Sequence, residues 1–459
     1  MKRKLAFVFS LLILFSCNED LLTSSEELEV AKTNENYSDL DNSRARKKFI
    51  DADITINPSG DQTGSSDADA IETALNSIPA GGTILLESGK FYLSREIFVP
   101  GNSGTLIGRG KSETEIIGVG NEGTPFIGNF FFAFINPSGP LTISNLSLSL
   151  PEGFVTFNDN LFGFIITVLN EEGSDTHFDE LILKGTDAAP NLDPIFGSQP
   201  NNSIIVRGNF NSFPLFTSGG NHTVSNSEFS EVAFQATIFE GFKDANIEIY
   251  NNSFTEIKQT IYRFMSGSTV SITDNTLQTN SFGGIVITQE GNFIAGEPNN
   301  VVIRGNTVRT SGFMPIEIGW VPEGSANFSL LIEKNKLTNE GSDPFNIYSN
   351  FSGIAIFNGN NDAIVRNNIL RGGAEFGIIQ ESNSGTFSGN NLQGFSPLIT
   401  DYGFFGNSNT IIGNGNSSVL DLGIDNITTG MTKVDGVSIG ERMKEALAKR
   451  KEILDAINK

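Results

Sequence analysis

The chain of 459 residues has one cysteine, two histidines and one tryptophan, and only 18% of it is charged. A single thiol excludes an intramolecular disulfide framework and any cysteine-based zinc site, so burial and hydrogen bonding must hold the fold. His177 and His222 do not form a pair with metal-ligand spacing, so no metal site is expected. Basic residues are scarce: 30 Lys and Arg against 53 Asp and Glu leave a formal net charge of −23, which argues against nucleic acid as a partner. An anionic polysaccharide would be repelled at long range unless a local basic patch or bound Ca²⁺ reversed the sign nearby. Long apolar runs are also few, and Phe126 to Ile135 is short and interrupted by Gly128 and Asn129. In their place stand 49 glycines, 38 phenylalanines and many Asn and Ser, a composition of tight turns rather than of helices.

The lone cysteine has a telling position. Lys2-Arg3-Lys4 precedes an apolar run from Leu5 to Phe15, as in a secretory signal, and Leu14-Phe15-Ser16-Cys17 resembles a bacterial lipobox. That resemblance implies a lipid on Cys17 and a chain exported and anchored to the cell envelope, at the outer membrane or cell surface. Loss of the three basic residues with the signal would bring the net charge to about −26. Residues 1–16 are thus expected as signal, 17–48 as a flexible polar tether, 49–430 as the folded body and 431–459 as a C-terminal helix. Within that last segment Met443, Leu447, Ile453, Leu454 and Ile457 are apolar amid many charges, the pattern of an amphipathic helix that caps the last edge of the body.

The body opens with a second helical signal. Ser66 and Asp67 offer an N-cap before Ala68 to Ile78, where Ala70, Ile71, Ala74, Leu75 and Ile78 form a stripe that Pro79-Ala80-Gly81-Gly82 ends. Beyond it a short motif repeats, apolar-x-[Gly/Asn/Asp]-Asn-x-apolar. Its copies include Val206-Arg207-Gly208-Asn209, Ile272-Thr273-Asp274-Asn275, Ile303-Arg304-Gly305-Asn306, Val365-Arg366-Asn367-Asn368 and Phe387-Ser388-Gly389-Asn390, with Asn391 beside the last. Taking Asn252, Asn275, Asn306, Asn335, Asn368 and Asn391 as equivalent gives steps of 23, 31, 29, 33 and 23 residues. A step near 23 suits one coil of three short strands, and longer steps imply loops inserted at one corner. Asn209 and these six asparagines are expected at corners, where Asn tolerates left-handed angles and its amide can reach the coils above and below.

A second strand type follows each corner, as in Gly284-Ile285-Val286-Ile287-Thr288, Pro315-Ile316-Glu317-Ile318-Gly319 and Gly353-Ile354-Ala355-Ile356-Phe357. Alternation places the isoleucines inward and Tyr262, Val286, Glu317, Ala355 and Ile379 outward on one stacked sheet. Asp69-Ala70-Ile71, Ala80-Gly81-Gly82-Thr83-Ile84 and Gly89-Lys90-Phe91-Tyr92-Leu93 resemble the N-terminal cap and first coil of the pectate-lyase-like proteins, and Leu106 to Gly110 and Ile116 to Gly118 continue the likeness. The resemblance implies an all-β fold, a right-handed parallel β-helix solenoid with an N-terminal capping helix, and a polysaccharide groove on the outer face of one sheet.

That groove would carry Tyr262, Phe264, Thr288, Glu317, Phe357 and Glu381, with Trp320 just past one strand. Aromatic rings stack on sugar faces and carboxylates accept from hydroxyls. A hydrolase would use a carboxylate pair, Glu317 with Glu381 or Glu240, whereas a lyase would use a base, with Arg263 or Ca²⁺ neutralising the uronate. Arg207, Arg304 and Arg366 recur within the Asn motif and are read as a solvated ladder on another face. The paired Asp motifs of the polygalacturonase branch are missing, as are the motifs of the alginate and chondroitin lyase branch. Two functions follow as expectations: a surface-anchored protein that binds or processes polysaccharide, or a noncatalytic adhesion or envelope-structural rod.

Overall fold

The computed structural model describes residues 50–434 except 120–129, 151–162, 186–200, 208–218, 232–234, 258, 280–282, 290–298, 312–313, 320–327, 341–351, 358–361, 398 and 413–416. Cys17, the tether, Asn209, Trp320 and the C-terminal segment from 435 onward therefore lie outside the described residues. From Ile50 the chain forms one compact unit. Its strands fall into sheets of 23 and 13 members, paired in parallel throughout the described residues. One coil illustrates the plan. Thr269–Thr273 and Thr276–Thr279 belong to the larger sheet and meet at a sharp corner, and Ile285–Gln289 belongs to the smaller sheet. The next coil repeats it with Asn299–Arg304, Thr307–Thr310 and Ile316–Ile318. Because parallel strands joined by crossovers wind almost always to the right, the chain is a right-handed parallel β-helix. We call the strands before the corner the entry arm and those after it the exit arm.

Alternation decides what fills the interior. Ile249, Ile272, Ile303, Ile332 and Val365 stack in register on the entry arm, and Phe254, Leu277, Val308, Leu337 and Leu370 lie buried at matching places on the exit arm. Ile285, Ile316, Ile354 and Ile378 form one column of the smaller sheet, and Ile287, Ile318 and Ile356 form another. All belong to one continuous core. Phenylalanines also stack inside: the rings of Phe229 and Phe254 lie 4.6 Å apart at 13°.

At the corner the asparagines form a hydrogen-bonded ladder. The Asn275 backbone N–H and its Nδ2 both donate to Oδ1 of Asn306 at 3.0 Å, while that Nδ2 also donates to the Ile249 carbonyl at 2.8 Å. The same pattern links Asn252 to Asn275, Asn306 to Asn335, Asn335 to Asn368, and Asn368 to Asn390. Each amide is buried; in Asn306, for example, Oδ1 accepts from Asn275 of the preceding coil while Nδ2 donates forward to Asn335 Oδ1 and back to the Ile272 carbonyl, which satisfies groups that a corner would otherwise orphan.

Three expectations need correction here. The last rung among the described residues is Asn390, where Asn391 was expected; Asn391 instead opens the strand Asn391–Phe395. The left-handed residue is the one before each rung: Asn251, Asp274, Gly305, Lys334, Asn367 and Gly389 have φ between 54° and 70°. Turning the chain falls to that residue, which frees the rung asparagine to point inward. Finally, Val206 and Arg207 lie in Asn201–Arg207, a strand of the smaller sheet, so this copy of the motif is not a corner of the same kind. The rung below Asn252 is Ser227, whose N–H donates to Asn252 Oδ1 at 3.0 Å.

At the N-terminal end the helix Ser65–Ser77 buries Ala68, Ile71, Ala74 and Leu75, while Ala70, expected on the stripe, faces out. Its cap also differs from expectation. Gly64 is the N-cap residue, and the Ser66 N–H is met by the Asp61 carboxylate at 3.1 Å. Hydrogen bonds from Thr63 and Ser66 hold that carboxyl far below its usual range. Asp67 is buried and accepts from the N–H groups of Ser59 and Tyr92, both at 2.8 Å, tying helix to first coil. At the other end the strand Thr432–Lys433 pairs with Ser418–Asp421, so parallel structure runs past the boundary expected at 430.

Candidate functional site

The smaller sheet presents two outward columns. Ile261, Val286, Glu317, Ala355 and Ile379 share the first. Arg207, Glu240, Arg263 and Thr288 share the second, which backbone hydrogen bonds extend through Gly319, Phe357 and Glu381. Tyr262 is not among them. In register it pairs with Phe239 and Ile287, both fully buried, whereas Ile261 holds the place in the first column that was expected of Tyr262. Phe264 pairs with Gln289 on the same strand, and the side chains of Tyr262, Arg263 and Phe264 lie outside the described residues. Arg263 pairs in register with Glu240.

The face carrying Glu317 is largely covered. Glu317 is 7% exposed, Val286 6% and Ala355 0%, and Met314 and Phe357 pack on Ala355 from outside. Further along, Phe376, Ile379 and Leu420 form another outer apolar cluster with Ile399, Phe405 and Val434. Glu317 and Glu381 also occupy different columns, two coils apart and two residues offset along the strand. Strand spacing puts their backbones roughly 12 Å apart, a wide setting for a paired-carboxylate hydrolase. Among the described residues no group of three His, Cys, Asp or Glu side chains is placed to hold a metal ion.

The exit arm looks quite different. Ser253, Thr276, Thr307 and Lys336 stand in one exposed column, and Gln278, Arg309, Thr338 and Arg371 in the next. Each coil thus offers two hydrogen-bonding side chains that repeat at the strand spacing of about 4.8 Å. Around the corner, on the entry arm, Tyr250, Thr273, Arg304, Glu333 and Arg366 form a further outward column. Glu333 is not solvated there: its side chain is 4% exposed and is held by Arg304 Nε and Arg366 Nε, each at 2.6 Å. Burial alone would raise its pKa, but the Arg366 hydrogen bond and both guanidinium charges outweigh that and leave it lowered. Arg304 and Arg366 do stand exposed in one column, as expected, but they are joined through the buried carboxylate between them, and Arg207 belongs to another sheet.

One histidine is interior. His222 accepts no exposure and sits with Nδ1 2.9 Å from Thr176 Oγ1 and Nε2 3.0 Å from the Gly219 carbonyl. The carbonyl requires a proton on Nε2, and burial keeps the ring neutral at ordinary pH, which leaves Nδ1 to accept from the threonine hydroxyl. Burial pushes its pKa down to about 4, against the opposing pull of the Gly219 carbonyl and Asp175.

No protein-family model matches the sequence, and no curated protein matches it either. Solved structures do. Bacteriophage CBA120 tailspike protein 3 is similar over 82% of this chain at 13% identity and a TM-score of 0.46, and the match spans 58% of that tailspike's length. The periplasmic alginate epimerase AlgG is similar over 84% of each chain, at 12% identity and a TM-score of 0.41. The A-module of the Azotobacter vinelandii mannuronan C-5 epimerase AlgE4 is similar over 82% of this chain and 92% of that one, at 12% identity and a TM-score of 0.38. What this chain shares with these proteins is the parallel β-helix fold.

Proposed function

We propose that this chain is an exported lipoprotein, anchored through Cys17, that binds polysaccharide along the axis of its β-helix. The observation that carries the glycan reading is the exit arm. Its two exposed columns place a hydroxyl, amide or cation on every coil from Ser253 to Arg371, at a spacing of the same order as the monomer repeat of an extended sugar chain. A polymer lying along the axis can therefore form equivalent hydrogen bonds coil after coil, each weak and together selective for extended chains. The covered face around Glu317 favours binding there less than on the open arm.

The test uses the full chain in gels containing neutral or uronic polysaccharides, with and without Ca²⁺, while reducing ends and unsaturated products are followed in parallel. Retardation by at least one glycan, weakened in Thr276→Ala/Thr307→Ala, is the expected outcome. Neither retardation nor turnover on any glycan overturns the reading. For the anchor, the full chain should partition into a detergent phase and Cys17→Ala should not; equal partitioning of the two removes the lipid from the proposal.

A further inference from the structure

In a chain of net charge −23, six basic residues stand close together on three successive coils: Arg304, Arg309, Lys334, Lys336, Arg366 and Arg371. All are exposed, and they line the two arms and the corner between them. Among the described residues the acids beside them are Glu333 and Glu340, while Asp362 lies before the start of the strand Ile364–Arg366. We infer that this basic strip is a docking site for an anionic polysaccharide, one bearing carboxylate or sulfate groups. The inference rests on the glycan reading above and names the class of glycan and where its charges are met.

Three observations carry it. First, Glu333 holds Arg304 and Arg366 by their Nε atoms, one to each carboxylate oxygen, and is itself buried. The clamp fixes two guanidinium groups on either side of it with side chains still nearly half exposed, 47% and 45%. Part of the conformational entropy that long cations lose on binding a ligand is thereby lost in advance. Second, Lys334 occupies the left-handed corner position at φ 57°, where the neighbouring coils have Gly305 and Asn367. A lysine tolerates that backbone less well than Asn or Gly, so a lysine there is strained in return for an ammonium on the ridge. Lys334 and Lys336 have no ion pair among the described residues. Third, Tyr250 is an exposed aromatic in the same column as Arg304, Glu333 and Arg366, two coils from Arg304. From Tyr250 to Arg366 the column covers four coil steps, about 19 Å, enough for several sugar units with a ring available for stacking at one end. Asp274 at the corner and Glu248 on Tyr250's own strand put negative charge beside that ring, so the positive strip itself begins at Arg304 and the ring suits an uncharged face of the sugar chain that runs on past it.

The experiment measures binding of the full chain to polygalacturonate, dextran sulfate and neutral dextran by gel retardation and titration at several salt concentrations. A triple variant, Lys334→Asn/Lys336→Gln/Arg371→Gln, leaves the Glu333 clamp intact, and Lys334→Asn relieves backbone strain, so folding is retained and is checked by its melting temperature. Expected are tighter binding of the anionic polymers than of dextran, weakening as salt rises, and a loss of roughly tenfold or more in the variant. Equal binding of dextran and the anionic polymers, with the variant unaffected, overturns this inference and leaves the glycan reading standing. Failure of every glycan to bind removes both. Equally tight binding of a DNA duplex or of anionic phospholipid vesicles also overturns it, by showing a surface that takes any polyanion.

Discussion

At the residue scale the ladder concentrates the fold's polar chemistry in single side chains. Asn306→Ala removes the acceptor for the Asn275 N–H and Nδ2 and the donor to the Ile272 carbonyl, all buried. The expected loss is roughly 2–4 kcal/mol, read as a lower urea midpoint, since each orphaned buried group costs about 1–3 kcal/mol. Asn306→Asp should also destabilise, because a carboxylate keeps the acceptor and loses both donors. His222 sets a pH dependence of definite sign. Above an ordinary pKa of about 6.5 the ring is neutral in both states and adds no dependence. Below it the unfolded chain binds a proton that the folded chain refuses until about pH 4, so stability falls across that window, by roughly 3 kcal/mol. Denaturation at pH 7 and pH 4.5 should show this fall in the wild type and a smaller one in His222→Gln. Equal falls would mean that the histidine is not the group responsible. The repeating asparagines are plain in the sequence, yet Asn390 and Asn391 are neighbours with the same side chain, and only pairing to Asn368 shows which turns inward.

Elements bring in what residues cannot show singly. The strand Gln259–Ser266 reads Gln-Thr-Ile-Tyr-Arg-Phe-Met-Ser, and both alternating sets hold apolar or aromatic members. Periodicity therefore leaves its parity open, and a one-residue shift exchanges the faces. Pairing with Ile285–Gln289 decides it and moves Tyr262 into the column of Ile287. Arg304 and Arg366 recur at one place of the Asn motif, but only the stacking of three strands shows that they meet across Glu333. Glu333→Gln leaves two guanidinium groups near each other without their shared anion. Allowing for solvent screening of the half-exposed arginines, it should lower stability at pH 7 by about 1–2 kcal/mol. Because the folded pKa is lowered, the wild-type advantage exists above the ordinary glutamate value near 4.3 and disappears as pH falls through the folded value. Glu333→Gln should therefore match the wild type in strong acid, and a difference that persisted there would assign the effect to packing. A second ladder also emerges only from the stacked strands: Ser268 N–H donates to Asn299 Oδ1, Gly385 N–H to Asn409 and Asn409 N–H to Asn426, all where the chain enters the entry arm. Those residues share no motif that a sequence repeat would flag.

For the whole molecule, the excess of acid is a long-range repulsion set against a short-range solenoid in which coils touch only their neighbours. Raising ionic strength from about 0.01 to 0.15 M shortens the screening length from about 30 to 8 Å and should raise the urea midpoint, whereas a midpoint that fell would show the local ion pairs to dominate. The sequence by itself determined the architecture. Parallel coils need only a period, inward alternation and a polar group able to satisfy each corner, and all three recur along the chain from Ser227 to Asn390. Tertiary structure alone decided which faces are available. Outward residues look alike in sequence whether solvent or chain covers them, and burial of Glu317 beneath its neighbours, like the meeting of six basic side chains on one strip, depends on residues tens of positions apart.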